Sequence, residues 1–477
     1  MSTPNPSTPA GATSGATSGA TAATAAIARF VHEFDLATAG PELRGRARAL
    51  LLDFCSVTLA ALDHDIVPGL LAGIDGAPAG AATLAGHGRA SAPDAAFFNG
   101  ALAHTLEYDD STLNPVGHPG TVILPAVLAL GEARGASGAE VLAAWLVGLE
   151  VHSRLGQAQR GNWSFTGGWL PIGHISLIGA AMGCARLLRL DPARVAHALG
   201  LAAHLCGQLS INAGSQAKPV GAGHAARSAL IAARLAAAGL HGADQVIERS
   251  GGFADTFFGV GAHDLAPLAR LGAPHHLEEI GVAIKRYPSC YGAHWGVDAL
   301  LDLVARHALT PDNVAAIELA HPAAAAFLDD SAPTNEEEAK FSHEYNLAVA
   351  LLRGIPRVRD FGQATLDDPA LRAVLRRVRT SVHPADADSA TARAYRVTVH
   401  TTDGRVLRHE VPRPLGHPRR PMSAADLDDK FRHCVATCLS TEAADALRDR
   451  VESLENLTTL GPLMTLLGAA RRHGAAR

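Results

Sequence analysis

From Ile27 to about residue 283, apolar positions recur three and four apart, a spacing that predicts helices throughout. Ser91 with Asp94 reads as a capping box opening a helix whose Ala96, Phe97, Gly100, Ala101 and Ala103 permit close packing. Ser137 and Glu140 make a second capping box ahead of Val141, Leu142, Trp145, Leu149 and Leu155, with Glu150 and Arg154 placed as an (i, i+4) structural ion pair. Asp191-Pro192 supplies an N-cap and a first-turn proline, and the helical segment 222–238 is expected to end on Gly239. These are successive helices of a bundle.

The pattern changes near Val282. Residues 313–322 carry strand-forming side chains, and Tyr395, Val397 and Val399 alternate ahead of Asp403-Gly404, a strong hairpin signal. Helical spacing resumes at Ser423. The fold class is therefore mainly α: a large all-α helical domain (25–283 and 413–477) interrupted by a smaller α+β lid domain (284–412), with a ligand cleft expected between them. Residues 1–24 form a Ser/Thr/Ala/Gly/Pro tail with too few large apolar side chains to order, and it lacks the features of a secretory or transit peptide.

Composition narrows the function. The chain has 477 residues, a net charge of −5 and no basic stripe, which argues against a nucleic-acid partner. No run of about 20 apolar residues is long enough to span a membrane. Six scattered cysteines without a CxxC pair fit reduced thiols and a cytoplasmic location.

The densest chemistry lies at 101–126, where His104, Glu107, Asp109, Asp110 and His118 crowd into an Ala/Leu-rich background. His104 and Glu107, three apart, are expected to share the C-terminal face of the helix that Ser91 opens, and that helix should stop before Asn114-Pro115. An apolar run from Val122 begins the next helix. Lys218, in a glycine-marked loop before a helix, and Lys285, at the start of the inserted domain, are point charges suited to a carboxylate. Residues 221–226 fit a dinucleotide fingerprint but follow no strand, so they are set aside. A metal reading of the His/Asp/Glu cluster matches no standard zinc spacing. His275-His276 reads as a loop, and there is no GxSxG elbow.

Six blocks in order carry a resemblance: NGALAHTLEYDD followed by HPGTVILPA, GLEVHSRLG, GSQAKPVGAGHAAR, IKRYPSCYGAHW, FSHEYNLAVAL and a late DKF. The chain resembles the MmgE/PrpD family, which includes 2-methylcitrate dehydratase, cis-aconitate decarboxylase and iminodisuccinate epimerase. The resemblance implies a homodimer and chemistry on small di- or tricarboxylates that needs no cofactor and no metal. It places Glu107, Asp109, His118, Lys218 and Lys285 as catalytic, with Ser111, Tyr345 and His104 in substrate binding. Four positions depart from the family's pattern: Glu107 stands where the leading acid is usually aspartate, Ser111 where the hydroxyl is usually threonine, Leu170 where several members have histidine, with His174 four residues later, and Cys290 at a second histidine position of the decarboxylases. The expected reaction begins with proton removal α to a carboxylate by Glu107 or Asp109, one of them with a pKa raised by burial and by its neighbours; Lys218 and Lys285 offset the developing charge, and His118 acts as acid. A dehydratase-like lyase is the leading expectation, with a decarboxylase, an epimerase and a non-catalytic acid-binding protein as alternatives.

Overall fold

The computed structural model describes residues 23–75, 80–113, 116–160, 167–384 and 394–471. Of the expected tail, residues 1–22 lie outside that set, but its boundary moves. The first helix runs Ala23–Glu33, and Thr24 is buried, its hydroxyl donating to Glu248 at 2.6 Å and accepting from the Ile247 N–H at 3.2 Å.

The main core is built from long helices, among them Pro41–Ala60, Ala92–Thr105, Gly120–Arg134, Gly138–Gln157, Ile175–Leu187 and Ala217–Ala237. Their small residues set how close they come. A Cβ on Gly100 would stand 2.9 Å from the Thr121 carbonyl oxygen, and one on Gly223 would overlap the Phe97 carbonyl. The Ala92–Thr105, Gly120–Arg134 and Ala217–Ala237 helices therefore meet backbone to backbone, which brings the end of the first beside the start of the last. Both expected capping residues are in place, with Ser91 accepting from Asp94 N and Ser137 from Glu140 N. Glu150 and Arg154 pair at 2.9 Å, fully buried, and Glu150 also accepts from the Gly272 and His276 N–H groups, so this pair ties chain segments together as a structural element.

The expectation of helix throughout 27–283 needs two corrections. Ala82–Leu84 pairs antiparallel with Gly88–Ala90, and Thr112–Leu113 pairs with Val116–Gly117. The second pair flanks Asn114-Pro115, which lie outside the described residues. It folds His118 back over the acidic segment.

A second buried cluster gathers residues from Tyr287 to Val411. Its sheet runs in the order Val378–Val382, Val314–His321, Arg396–Thr401, Val406–Glu410; the first pair is parallel and the others antiparallel. Gly404, at φ +87°, makes the hairpin turn that Asp403-Gly404 predicts. The chain then returns to the first core through the Ala424–Val435, Thr441–Glu452 and Gly461–Ala469 helices. Among the described residues no helix is long and apolar enough to cross a membrane.

Candidate active site

The Ala92–Thr105 helix ends earlier than its sequence predicts, and Glu107 lies beyond it with φ +50°. Left-handed backbone is unusual for a residue with a side chain and is held only where surroundings enforce it. So His104 and Glu107 do not share a helix face; the turn instead lifts the Glu107 carboxylate into a narrow cleft lined by His104, Lys218, Lys340 and Phe341.

Four lysines occur in the whole chain, and all four are buried around residues 105–109. Lys218 donates to Glu107 Oε1, and its Nζ lies 5.1 Å from the centre of the Phe341 ring. Lys285 donates to the Glu107 carbonyl at 2.9 Å and to Oε2 at 3.2 Å. Lys340 donates to the Thr105 carbonyl at 3.1 Å, and Lys430 to the Tyr108 carbonyl at 2.8 Å while pairing with Asp53 at 2.6 Å. Two lysines thus converge on one carboxylate, and two more hold the backbone that presents it. Lys218 is the second residue of the Ala217–Ala237 helix, a helical position where the sequence predicts an open loop. Lys340 and Lys430 were not predicted as site residues. With only four lysines in 477 residues, scarcity alone is a sequence signal that would have pointed to all four.

Asp109 is the hub of the histidines. Its Oδ1 lies 3.1 Å from His104 Nδ1 and 3.9 Å from Lys285, and its Oδ2 lies 2.9 Å from His118 Nδ1. His118 Nδ1 also donates to the Asp110 carbonyl at 3.0 Å, which fixes the proton on that nitrogen and leaves Nε2 as an acceptor. At 13 % side-chain exposure His118 is the most accessible of the group, its ring 4.7 Å from that of His104.

The electrostatics overturn two expectations. Burial alone would raise the Glu107 pKa, but Lys218 and then Lys285 outweigh it and hold the carboxylate well below the usual range. Burial of Asp109 is likewise outweighed, by His104, Lys285 and His118. The acid whose pKa is raised, by burial and then by the Asp109 charge, is Asp110, which receives the Gly120 N–H at 3.0 Å. Glu107 and Asp109 are therefore resting carboxylates rather than bases tuned towards neutrality. For Lys285, burial favours the neutral amine, but Glu107 and Asp109 prevail and raise its pKa. Burial lowers the His118 pKa to about 4 despite Asp109, so the ring is neutral at pH 7 and not the resting general acid that the sequence reading made it.

Two further residues sit elsewhere than the resemblance implies. The Tyr345 hydroxyl donates to the Asp360 carbonyl at 2.8 Å inside the second core, away from the cleft lining. The Ser111 hydroxyl turns to the Thr112 carbonyl at 3.3 Å, while its backbone pairs with Ala283. Leu170 is buried, and its carbonyl accepts from His174 Nδ1 at 2.9 Å; His174 in turn stacks on Phe257 at 5.0 Å, so it does not stand in for the missing histidine. Burial and then the Glu107 charge keep the Cys290 thiol protonated.

Residues 25–265 match the MmgE/PrpD N-terminal domain, and residues 287–456 match the MmgE/PrpD C-terminal domain. The chain is 31 % identical to the human cis-aconitate decarboxylase over 382 residues, which covers 78 % of this chain and 79 % of that protein. It is 29 % identical to the cis-aconitate decarboxylase of Aspergillus terreus over 415 residues, 82 % of this chain and 84 % of the fungal one. With both domains matched in order across most of its length, the chain belongs to the MmgE/PrpD family.

Proposed function

We propose that this protein is a lyase acting on a small polycarboxylate, and that it removes CO2 from an unsaturated tricarboxylate of the cis-aconitate type. The observation that carries the reading is the convergence of Lys218 and Lys285 on one buried carboxylate, which makes a seat with two positive charges. The named relatives supply the reaction class.

In this reading a substrate carboxylate competes with Glu107 for the two lysines. When the bond to the departing carboxylate breaks, its electron pair moves onto carbon and spreads into the retained, conjugated carboxylate, where fixed ammonium groups stabilise the growing charge. CO2 leaves, and one proton must reach carbon. His118 delivers it from Nε2 after taking it from solvent, with Asp109 orienting the ring through Nδ1. Closure of the 284–412 unit over the helical core would keep water from the carbanion. No step needs a metal or organic cofactor.

A second reading is dehydration, favoured by the His118 tautomer: a neutral ring with a free Nε2 is ready to take a proton α to a carboxylate. Incubating the purified protein with cis-aconitate and, separately, with hydroxytricarboxylates decides between them. CO2 release with a product one carboxyl group lighter is expected; loss of water from a hydroxy acid, without CO2, would replace the decarboxylase reading.

We also propose a homodimer. Leu205, Leu209, Ile211 and Val220 lie exposed between the Pro192–His204 helix and the first turn of the Ala217–Ala237 helix, Ile211 at 85 %. Apolar exposure in one neighbourhood suits a partner surface. Light scattering should give twice the chain mass for the wild type and a lower mass for Ile211→Asp; a wild-type monomer would refute it.

A further inference from the structure

His321, Asp329 and His343 lie in the second core, outside the cleft, and each offers one ligand atom within 4.8 Å of the others. His321 ends the Val314–His321 strand, Asp329 follows the short turn Ala323–Leu328, and His343 opens the His343–Arg353 helix. Both histidines are buried, whereas Asp329 reaches solvent.

The bonding within this group is incomplete in a specific way. His321 Nδ1 donates to the Pro322 carbonyl at 3.0 Å, which leaves Nε2 with its lone pair 2.9 Å from Asp329 Oδ1. A lone pair facing a carboxylate oxygen is repulsive unless a positive charge sits between them. Among the described residues, neither that nitrogen nor either ring nitrogen of His343 has an aligned hydrogen-bond partner, although the Ala325 carbonyl faces the His343 ring. Leaving buried polar atoms unpaired is costly.

We propose that His321, Asp329 and His343 bind one divalent cation of the zinc type. Two imidazoles and a carboxylate are a common protein ligand set for zinc, with water as the fourth ligand. The contact from His321 Nδ1 to a backbone carbonyl is the outer-shell bond that metal-binding histidines usually make. The ion joins a strand end, a turn and a helix start. The Ser342 hydroxyl already ties that helix start to the Asp330 carbonyl at 2.5 Å, and Lys340 and Phe341 of the cleft immediately precede it. The ion steadies that segment and supplies no chemistry to the reaction.

The test is competition of chelator-treated, full-length protein with a chromophoric chelator for added Zn2+, alongside thermal melting. The expected result is one equivalent bound per chain with a raised melting temperature. Asp329→Asn, at an exposed position that should preserve the fold, and His343→Gln should each weaken binding at least 100-fold. His118→Gln, which alters the other His/Asp cluster, should leave it intact. No stoichiometric binding would overturn the proposal, and so would binding that survives Asp329→Asn and His343→Gln or is lost with His118→Gln.

Discussion

Replacing Glu107 with glutamine keeps the side chain's shape and removes the charge that Lys218 and Lys285 share. Removing one partner of a buried ion pair typically costs about 3 to 5 kcal/mol, because the other charge is left uncompensated. Here the lower end applies, since Asp109 remains 3.9 Å from Lys285 and the amide oxygen can still accept. For a chain of 477 residues melting as one unit, average unfolding entropies convert each kcal/mol to about 1 °C, so Glu107→Gln should melt roughly 3 °C below wild type at pH 7. The folded-state pKa of Glu107 is depressed, so its contribution is present above the ordinary carboxylate pKa and is lost as pH falls through the lower folded value. The gap between the two proteins should therefore be full at neutral pH and close only below about pH 4. Citrate reverses the ranking of response: with Glu107 no longer competing for the lysines, added citrate should raise the variant's melting temperature more than the wild type's. Differential scanning fluorimetry with and without citrate reads both effects. A variant that melts like wild type and responds equally to citrate would show that Glu107 is not the counter-charge of this seat.

Other outcomes follow from the same geometry. Lys218→Ala and Lys285→Ala should each lose about 2 to 4 kcal/mol of transition-state stabilisation in kcat/KM on an identified substrate; an unchanged value would remove that lysine from the mechanism. Lys430→Met strands Asp53 in the core and should destabilise by about 3 to 5 kcal/mol in urea unfolding, even though Lys430 lies outside the cleft lining. Burial lowers the pKa of His118, His174 and His276 to about 4 and that of His152 to about 3. The unfolded chain takes up these protons first, so stability should be full above about pH 6.5 and fall towards pH 4, by about 1.4 kcal/mol per pH unit for each histidine; a flat profile would contradict their burial as neutral rings. A chain beginning at Ala23 should melt like the full protein, whereas one beginning at Ala25 loses the Thr24 bonds to Glu248 and Ile247 and should be about 1 to 2 kcal/mol less stable.

Much of this was legible because local signals and tertiary demands agree. Ser91, Ser137 and Asp191 cap helices where their spacing says they should, and Asp403-Gly404 turns the hairpin. The crowding of His104, Glu107, Asp109 and His118 around Lys218 and Lys285 also follows from the sequence, through the family resemblance. What the sequence misses depends on long-range contacts. Periodicity puts Glu107 on a helix face because a local pattern carries no sign of the positive φ that Lys285 braces through the Glu107 carbonyl. Which acid has the raised pKa depends on where lysines 111 and 178 residues away come to rest, so Asp110 takes the place expected of Glu107 or Asp109. Tyr345 sits in a matching block, but its hydroxyl is taken up by Asp360 within the second core.

The central claim is that a carbanion formed beside the two lysines receives its proton from His118. Turnover of cis-aconitate in deuterium oxide, followed by NMR, tests it most directly. The wild type should yield a decarboxylated product with one carbon-bound deuterium. His118→Ala should bind substrate normally by calorimetry yet form that product at least 100-fold more slowly, the scale of a positioned proton-transfer group. Deuterated product formed at wild-type rate by His118→Ala, or deuterium in recovered tricarboxylate with no loss of CO2, would contradict the account.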